Sequence, residues 1–234
     1  MNKLTNTLLA GIAALGLTVT GAVWASPAAA AAAQTNAVAA TAQMSAQVAV
    51  PTTLTPDEIA GLTFMREEEK LARDVYLTLN ETWDYQVFSN IARSEQSHMD
   101  AIGTLLTRYG IADPAAGNDA GEFTNPDLQA LYNSLVAQGG QSLADALRVG
   151  AAIEEIDIRD LLEELATVEH SDIRRVYERL EQGSENHLRA FVSTLERQTG
   201  ETYEPQYLDQ ATYDGIISAT SGQGGRGQRP GRRF

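Results

Sequence analysis

The stretch Ile91–Leu106, IARSEQSHMDAIGTLL, constrains the fold more than any other part of this chain. Phe88, Ile91, Ala92, Met99, Ile102 and Leu106 recur every three or four residues, the period of one helix face, and Glu95 and His98 fall inside that stripe. A carboxylate and an imidazole aimed into an apolar helix interface cost on the order of several kcal/mol unless a compensating charge meets them. A divalent metal ion meets that need, and an inward Glu-x-x-His is the ligand pattern of carboxylate-bridged di-iron and di-manganese helix bundles. Two fixed positions in four residues arise often by chance, so the reading depends on further ligands at the same depth.

Composition narrows the chemistry. The 234 residues contain no cysteine, which excludes disulfides and thiolate sites and leaves oxygen and imidazole ligands, the set that suits iron and manganese. Apart from Lys3, residues 1–53 are uncharged, and the last sixteen residues carry Arg226, Arg229, Arg232 and Arg233 with no acid. Between them lie 12 basic and 31 acidic residues, a net charge of −19. So acidic a domain argues against nucleic acid and attracts cations, although solubility alone accounts for it equally well.

The chain divides into four parts. Residues 1–25 read as a secretory signal: Lys3, an apolar run from Leu8 to Trp24, then the small-residue site Val23-Trp24-Ala25. This predicts a secreted or periplasmic protein without stable membrane insertion once the signal is removed, an uncleaved anchor being the alternative. Residues 26–53 are an uncharged Ala/Thr-rich linker, 54–218 the folded domain, and 219–234 a Gly/Arg-rich tail.

Within the domain the pattern predicts four long helices. Thr55, Pro56 and Glu58 form a capping box that opens the first, which runs to about Leu79 with Phe64, Glu68, Leu71, Val75 and Leu79 on one face. Glu67 and Glu69 lie about 100° to either side of Glu68, so at least one is expected to face water. The second helix covers 84–109, the third 142–168 with Glu154 in its apolar stripe, and the fourth 172–198 with His187 in its own. The link over 110–141 holds a short helix begun by Asn125-Pro126 and is long enough to cross a bundle. His170 falls at a turn, where it is expected to be solvated.

The two halves resemble each other. EEKLARDVY can be laid on EEIDIRDLL, pairing Glu68 with Glu154 and Glu69 with Glu155, and SEQSHMDAI on GSENHLRAF, pairing His98 with His187. Counted from the turn of each hairpin, the acid and the imidazole lie at similar depth, about 20 Å along antiparallel helices in the first. The position three before His187 is Ser184, where a symmetric site has a carboxylate. Glu181 or Glu185 could replace it, or water could fill the place. Glu68, Glu95, His98, Glu154 and His187 are thus the expected ligands. Arg73 and Arg159 are either partners of the ligand carboxylates or of surface acids. Tyr76 and Tyr177 are expected as core tyrosines, with ligand hydrogen bonding the alternative.

The motifs FMREEEKLARDVY, NIARSEQSHMDAI, GAAIEEIDIRDL and GSENHLRAF resemble the bacterial and archaeal family catalogued as domain of unknown function 2202, within the ferritin-like superfamily. The resemblance implies an all-α antiparallel four-helix bundle with a long crossover and a dinuclear centre, iron first and manganese as alternative. EEKLARDVY is also similar to the first helix of rubrerythrins, a comparison that favours Glu69 and Glu155 where helix phase favours Glu68 and Glu154. The expected activity is ferrous oxidation or peroxide removal, with metal ions and O2 or H2O2 as partners and a homodimer left open. A manganese catalase-like enzyme and a non-catalytic helical envelope module are the alternatives.

Overall fold

The computed structural model describes residues 53–219, in which there are six helices and no strand. The signal, linker and tail anticipated at the two ends lie outside the described residues except at their inner edges, 53 and 219. Among the described residues no helix is long and apolar enough to cross a membrane.

Helix α1 spans Pro56–Trp83 and begins as anticipated: Thr55 Oγ1 accepts from Glu58 N while Glu58 Oε2 accepts from Thr55 N. It outruns the end expected near Leu79. Trp83 donates its indole N–H to the Gly139 carbonyl at 2.9 Å, which holds the last turn, and Asp84 then breaks the helix in the left-handed region at φ 45°. Helix α2, Gln86–Tyr109, stops at Gly110, whose φ of 67° lets the N–H of Ile111 reach back to the Leu106 carbonyl. After α3 (Pro126–Gly139) come α4 (Leu143–Thr167) and α5 (Ser171–Thr199), then the short α6 (Gln210–Ser218).

The long helices pair as two hairpins, α1 with α2 and α4 with α5; α1 also packs on α4 and α2 on α5, while α3 lies against α1 and α4. Two apolar clusters fill the interior. One gathers Val75, Tyr76, Phe88, Leu147, Leu188 and Phe191; the other gathers Met65, Ile102, Leu106, Leu161, Tyr177 and Leu180. Along α1, α2 and α5 the change from one cluster to the other falls at Glu69, Glu95 and Ser184–His187, and on α4 it falls between Ile158 and Leu161, just after Glu154 and Asp157, so a belt of buried polar groups crosses the helices.

The connection before α3 folds onto α1 and corrects one expectation. Glu67, Glu68 and Glu69 are all buried, because residues 113–125 cover the face that was to meet water. Glu67 accepts from the N–H groups of Thr124 and Asn125, buried Lys70 donates to Asp74 and to the Asp119 carbonyl, and Arg66 grips Asp113. At the other end of the chain Glu155, fully buried, accepts from the N–H groups of Gln206, Tyr207 and Leu208, which ties down the segment leading to α6.

His170 is likewise buried rather than solvated. Glu58 reaches across from the first turn of α1 and accepts from the backbone N–H groups of Glu169 and His170, and its Oε1 lies 2.8 Å from His170 Nδ1. Burial alone would raise the Glu58 carboxyl, but these bonds and the one from Thr55 hold it down at about 2. A depressed carboxyl stabilises the fold fully above its unfolded value near 4.5 and loses that contribution as pH falls toward 2. At about 1.4 kcal/mol per pKa unit the contribution is about 3 kcal/mol. Glu58→Gln is therefore expected to lower stability by about 2–3 kcal/mol at pH 7 and to flatten the stability curve between pH 5 and 2, as read by urea unfolding across that range.

Candidate metal centre

Glu95 is the midpoint of the polar belt. Its Oε2 lies 2.8 Å from His98 Nδ1, and its Oε1 lies 2.7 Å from His187 Nδ1. One carboxylate thus addresses two imidazoles, each backed by a second acid: Glu69 Oε2 stands 3.2 Å from His98 Nδ1, and Glu154 Oε2 stands 3.5 Å from His187 Nδ1. The two sets, Glu69–Glu95–His98 and Glu95–Glu154–His187, each place one ligand atom per residue within 4.8 Å of the others. The imidazole rings lie side by side at 5.6 Å between centroids, tilted by 27°.

Local packing fixes these groups. His98 rests on α5 at Gly183, where a Cβ would stand 2.6 Å from His98 Nε2. The Gly183-Ser184 pair, which reads as a helix weakness, leaves α5 continuous and makes the space for that ring. His187 Nε2 lies 3.0 Å from Ser94 Oγ; when Nε2 carries the hydrogen, Ser94 accepts it and the Nδ1 lone pair faces Glu95. Tyr76 donates to Glu154 Oε1 at 2.5 Å and so orients that carboxylate.

Electrostatics shows what the belt lacks. Burial raises Glu69 to about 7 against the pull of His98, and burial together with Glu95 raises Glu154. Burial alone would raise Glu95 as well, but His187 and His98 hold it at about 2. The imidazoles respond in kind: against the effect of burial, Glu69 and Glu95 push His98 up to about 12, and Glu154 and Glu95 push His187 up to about 10. Protons supply the positive charge these acids require. Even so, Glu69 Oε1, Glu95 Oε1 and His187 Nδ1 are buried with no hydrogen-bond partner. Glu95 Oε1 and His187 Nδ1 approach closely without hydrogen-bond alignment, an arrangement suited to atoms that converge on a cation. Oxygen and imidazole donors arranged so fit a pair of divalent first-row ions.

Of the five residues expected from sequence, Glu95, His98, Glu154 and His187 come together here. Glu68 does not join either set. Its carboxylate is buried beside Asp160 and Asp157, with both oxygens lacking a partner of good geometry, and Glu69 occupies the place expected for it. The face of α1 toward the belt runs Leu62, Met65, Glu69 and Tyr76, one position away from the stripe read through Phe64 and Glu68. Because α1 is covered on both sides its apolar residues do not mark a single phase. Glu155, the homologue of Glu69 in the internal alignment, is committed to the loop before α6, so Glu69 and Glu154 are the spatial pair.

The remaining polar groups sort as follows. Arg73 pairs with Asp74 and Gln96, and Arg159 with Asp160. Glu185 turns to Arg189, and Glu181 is half-buried beside Glu185. Asp157, absent from the residues expected from sequence, is buried and feels the charges of Glu69, Glu154 and Glu95. Its position three residues after Glu154, on the same helix face, is the signal that could have found it.

A family model described as an uncharacterized protein domain, DUF2202, matches residues 58–220. The uncharacterized protein MJ0754 of Methanocaldococcus jannaschii is 49% identical over 171 residues, which cover 73% of this chain and 92% of that protein. A crystal structure of the hypothetical protein MJ0754 aligns with a TM-score of 0.71, at 49% identity, over 73% of this chain and 97% of that one.

The contact of His98 with Gly183 is open to test. Gly183→Ala improves helix propensity by about 0.5–1 kcal/mol but forces a methyl against the imidazole, an overpacking cost of about 1–3 kcal/mol. The variant is expected to melt lower than the parent in a thermal unfolding scan, since His98 must move.

Proposed function

The chain belongs to the DUF2202 family, and from its polar belt we propose that it is an exported ferritin-like protein, a four-helix bundle with a long crossover that holds a carboxylate-bridged pair of iron ions and works as an oxidoreductase. The single observation that carries this reading is Glu95 divided between His98 and His187, buried, with Glu69 behind one imidazole and Glu154 behind the other. Export is supported by the leader-like residues 1–25 and the uncharged linker that follows them.

In this reading Glu69, Glu95 and His98 would hold one ion, and Glu95, Glu154 and His187 would hold the other. When bound, such a pair would supply two-electron chemistry with O2 or H2O2. The chain contributes the rest. The carboxylates of Glu69, Glu95 and Glu154 are almost wholly screened from water, whereas the side chains of His98 and His187 keep 12% and 11% of their surface exposed. A small oxidant therefore has its shortest approach along the α2–α5 side, past the imidazoles. Tyr76 keeps Glu154 from swinging away, and the apolar clusters above and below exclude bulk water, which strengthens each charge interaction inside.

Manganese fits the same donors and points to catalase-like chemistry. Elemental analysis of the full chain after loading with Fe(II) or Mn(II) tests the centre, with about two ions per chain expected and a rise in melting temperature corresponding to about 3 kcal/mol at a hundredfold excess of metal over Kd. Glu95→Ala is expected to abolish both ions, because it removes the shared ligand. Fe(II) oxidation followed by absorbance with H2O2 consumption supports the oxidoreductase. O2 evolved from H2O2 by the manganese form assigns catalase activity instead. A wild-type chain that stays metal-free after loading, with its melting temperature unmoved, leaves an acidic helical binding module.

A further inference from the structure

The carboxylate that α5 lacks at Ser184 has a counterpart on the neighbouring helix. Asp157 sits on α4 three residues after Glu154, so α4 presents Glu-x-x-Asp to the belt much as α2 presents Glu95-x-x-His98. Asp157 is 4% exposed and feels the charges of Glu69, Glu154 and Glu95, while standing outside the two three-residue sets. Ser184, fully buried, donates to Asp157 Oδ2 and also lies 3.0 Å from the Leu180 carbonyl. The Ser184 hydroxyl thus holds one oxygen of Asp157 in place, while the other, Oδ1, is buried with no hydrogen-bond partner.

We propose that Asp157 is the fourth carboxylate ligand of the dinuclear centre, supplied by α4 in place of the α5 carboxylate that Ser184 replaces. This rests on the dinuclear reading given above. The charge balance supports it: Glu69, Glu95 and Glu154 offset three of the four positive charges of two divalent ions, and in a dry interior the remaining charge is costly. Asp157 completes the balance. Glu68, another buried acid without a hydrogen-bond partner, feels Asp160 ahead of Asp157 and Glu69, and it acts on Arg159, whose positive charge opposes its own. Neither Glu181 nor Glu185 competes for the position, since both remain with the solvent-side charges of α5.

The test uses the full chain titrated with Mn(II) alone, with free Mn(II) read by electron paramagnetic resonance and the melting temperature of the metal-free protein read in parallel. Asp157→Asn keeps side-chain size and the contact with Ser184. It is expected to weaken one of two Mn(II) ions by about tenfold or more and leave the other in place. In the metal-free variant the melting temperature is expected to hold or rise, because one buried acid is removed from among like charges. Ser184→Ala, which removes only the clamp on Oδ2, is expected to weaken the same ion by a few-fold. Two ions bound by Asp157→Asn at wild-type affinity overturn the assignment of Asp157 and leave the centre standing. Loss of both ions with a lowered metal-free melting temperature gives Asp157 a packing role instead and also overturns it. A wild type that binds no Mn(II) and no Fe(II) removes the centre itself, a separate failure read before any variant is made.

Discussion

Glu95 divides its two oxygens between imidazoles carried by different helices, one on its own α2 and one on α5, and the rest of the interior is subordinate to that division. For one carboxylate to lie between His98 and His187, the α1–α2 and α4–α5 hairpins must meet with their polar residues at the same level. The apolar residues enforce this register. Met65, Ile102, Leu161 and Leu180 close one side of the belt, and Val75, Phe88, Leu147 and Phe191 close the other. A slip of one turn, about 5.4 Å, along any of the four helices would push an acid or an imidazole into hydrocarbon and expose an apolar side chain in return. Packing and electrostatics therefore select the same arrangement, which is the kind of agreement between levels that gives a sequence one fold.

The belt is expensive in isolation. Glu69, Glu95 and Glu154 are nearly inaccessible to water, and their close cationic neighbours are two imidazoles whose protonation those same acids sustain. Natural cores rarely carry such a concentration of acids without a compensating use. The other buried charges are handled differently: Glu67 and Glu155 accept backbone N–H groups from loops, and Asp74 takes Lys70. The contrast separates acids that staple the fold to a loop or a lysine from acids that face one another and the imidazoles.

Much of this was legible from spacing alone. The capping box at Thr55, the ends of the second and fourth long helices within a residue or so, and the convergence of Glu95, His98, Glu154 and His187 follow from periodicity and turn chemistry. What failed has a common physical origin. Glu67, Glu68 and Glu69 could not be ranked because the connection before α3 buries the outer face of α1, and a helix buried on two sides carries no single apolar stripe to set its phase. His170 was misplaced because a turn is normally wet, and nothing local announces that Glu58, more than a hundred positions earlier, will fold over it. Such contacts are properties of the tertiary arrangement.

The internal repeat is real in sequence and incomplete in space, and the reason lies in what each half must also hold. Both halves begin with paired glutamates, yet the belt takes Glu69, the second of its pair, from α1 and Glu154, the first of its pair, from α4. On α4 the second glutamate is drawn outward by the three N–H groups at 206–208; on α1 the outward partner is Glu67, drawn to 124 and 125. Each half therefore spends one acid on anchoring a loop and one on the belt, but the anchor precedes the belt residue on α1 and follows it on α4. With the two helices out of phase by this amount, the equivalence of Ser94 and Glu95 with Gly183 and Ser184 need not hold either. On α5 those positions serve instead to admit the His98 ring and to hold Asp157. The departure from symmetry at Ser184 is then a consequence of how the halves are fastened, since a site whose two sides are anchored differently has no reason to draw its carboxylates from equivalent positions.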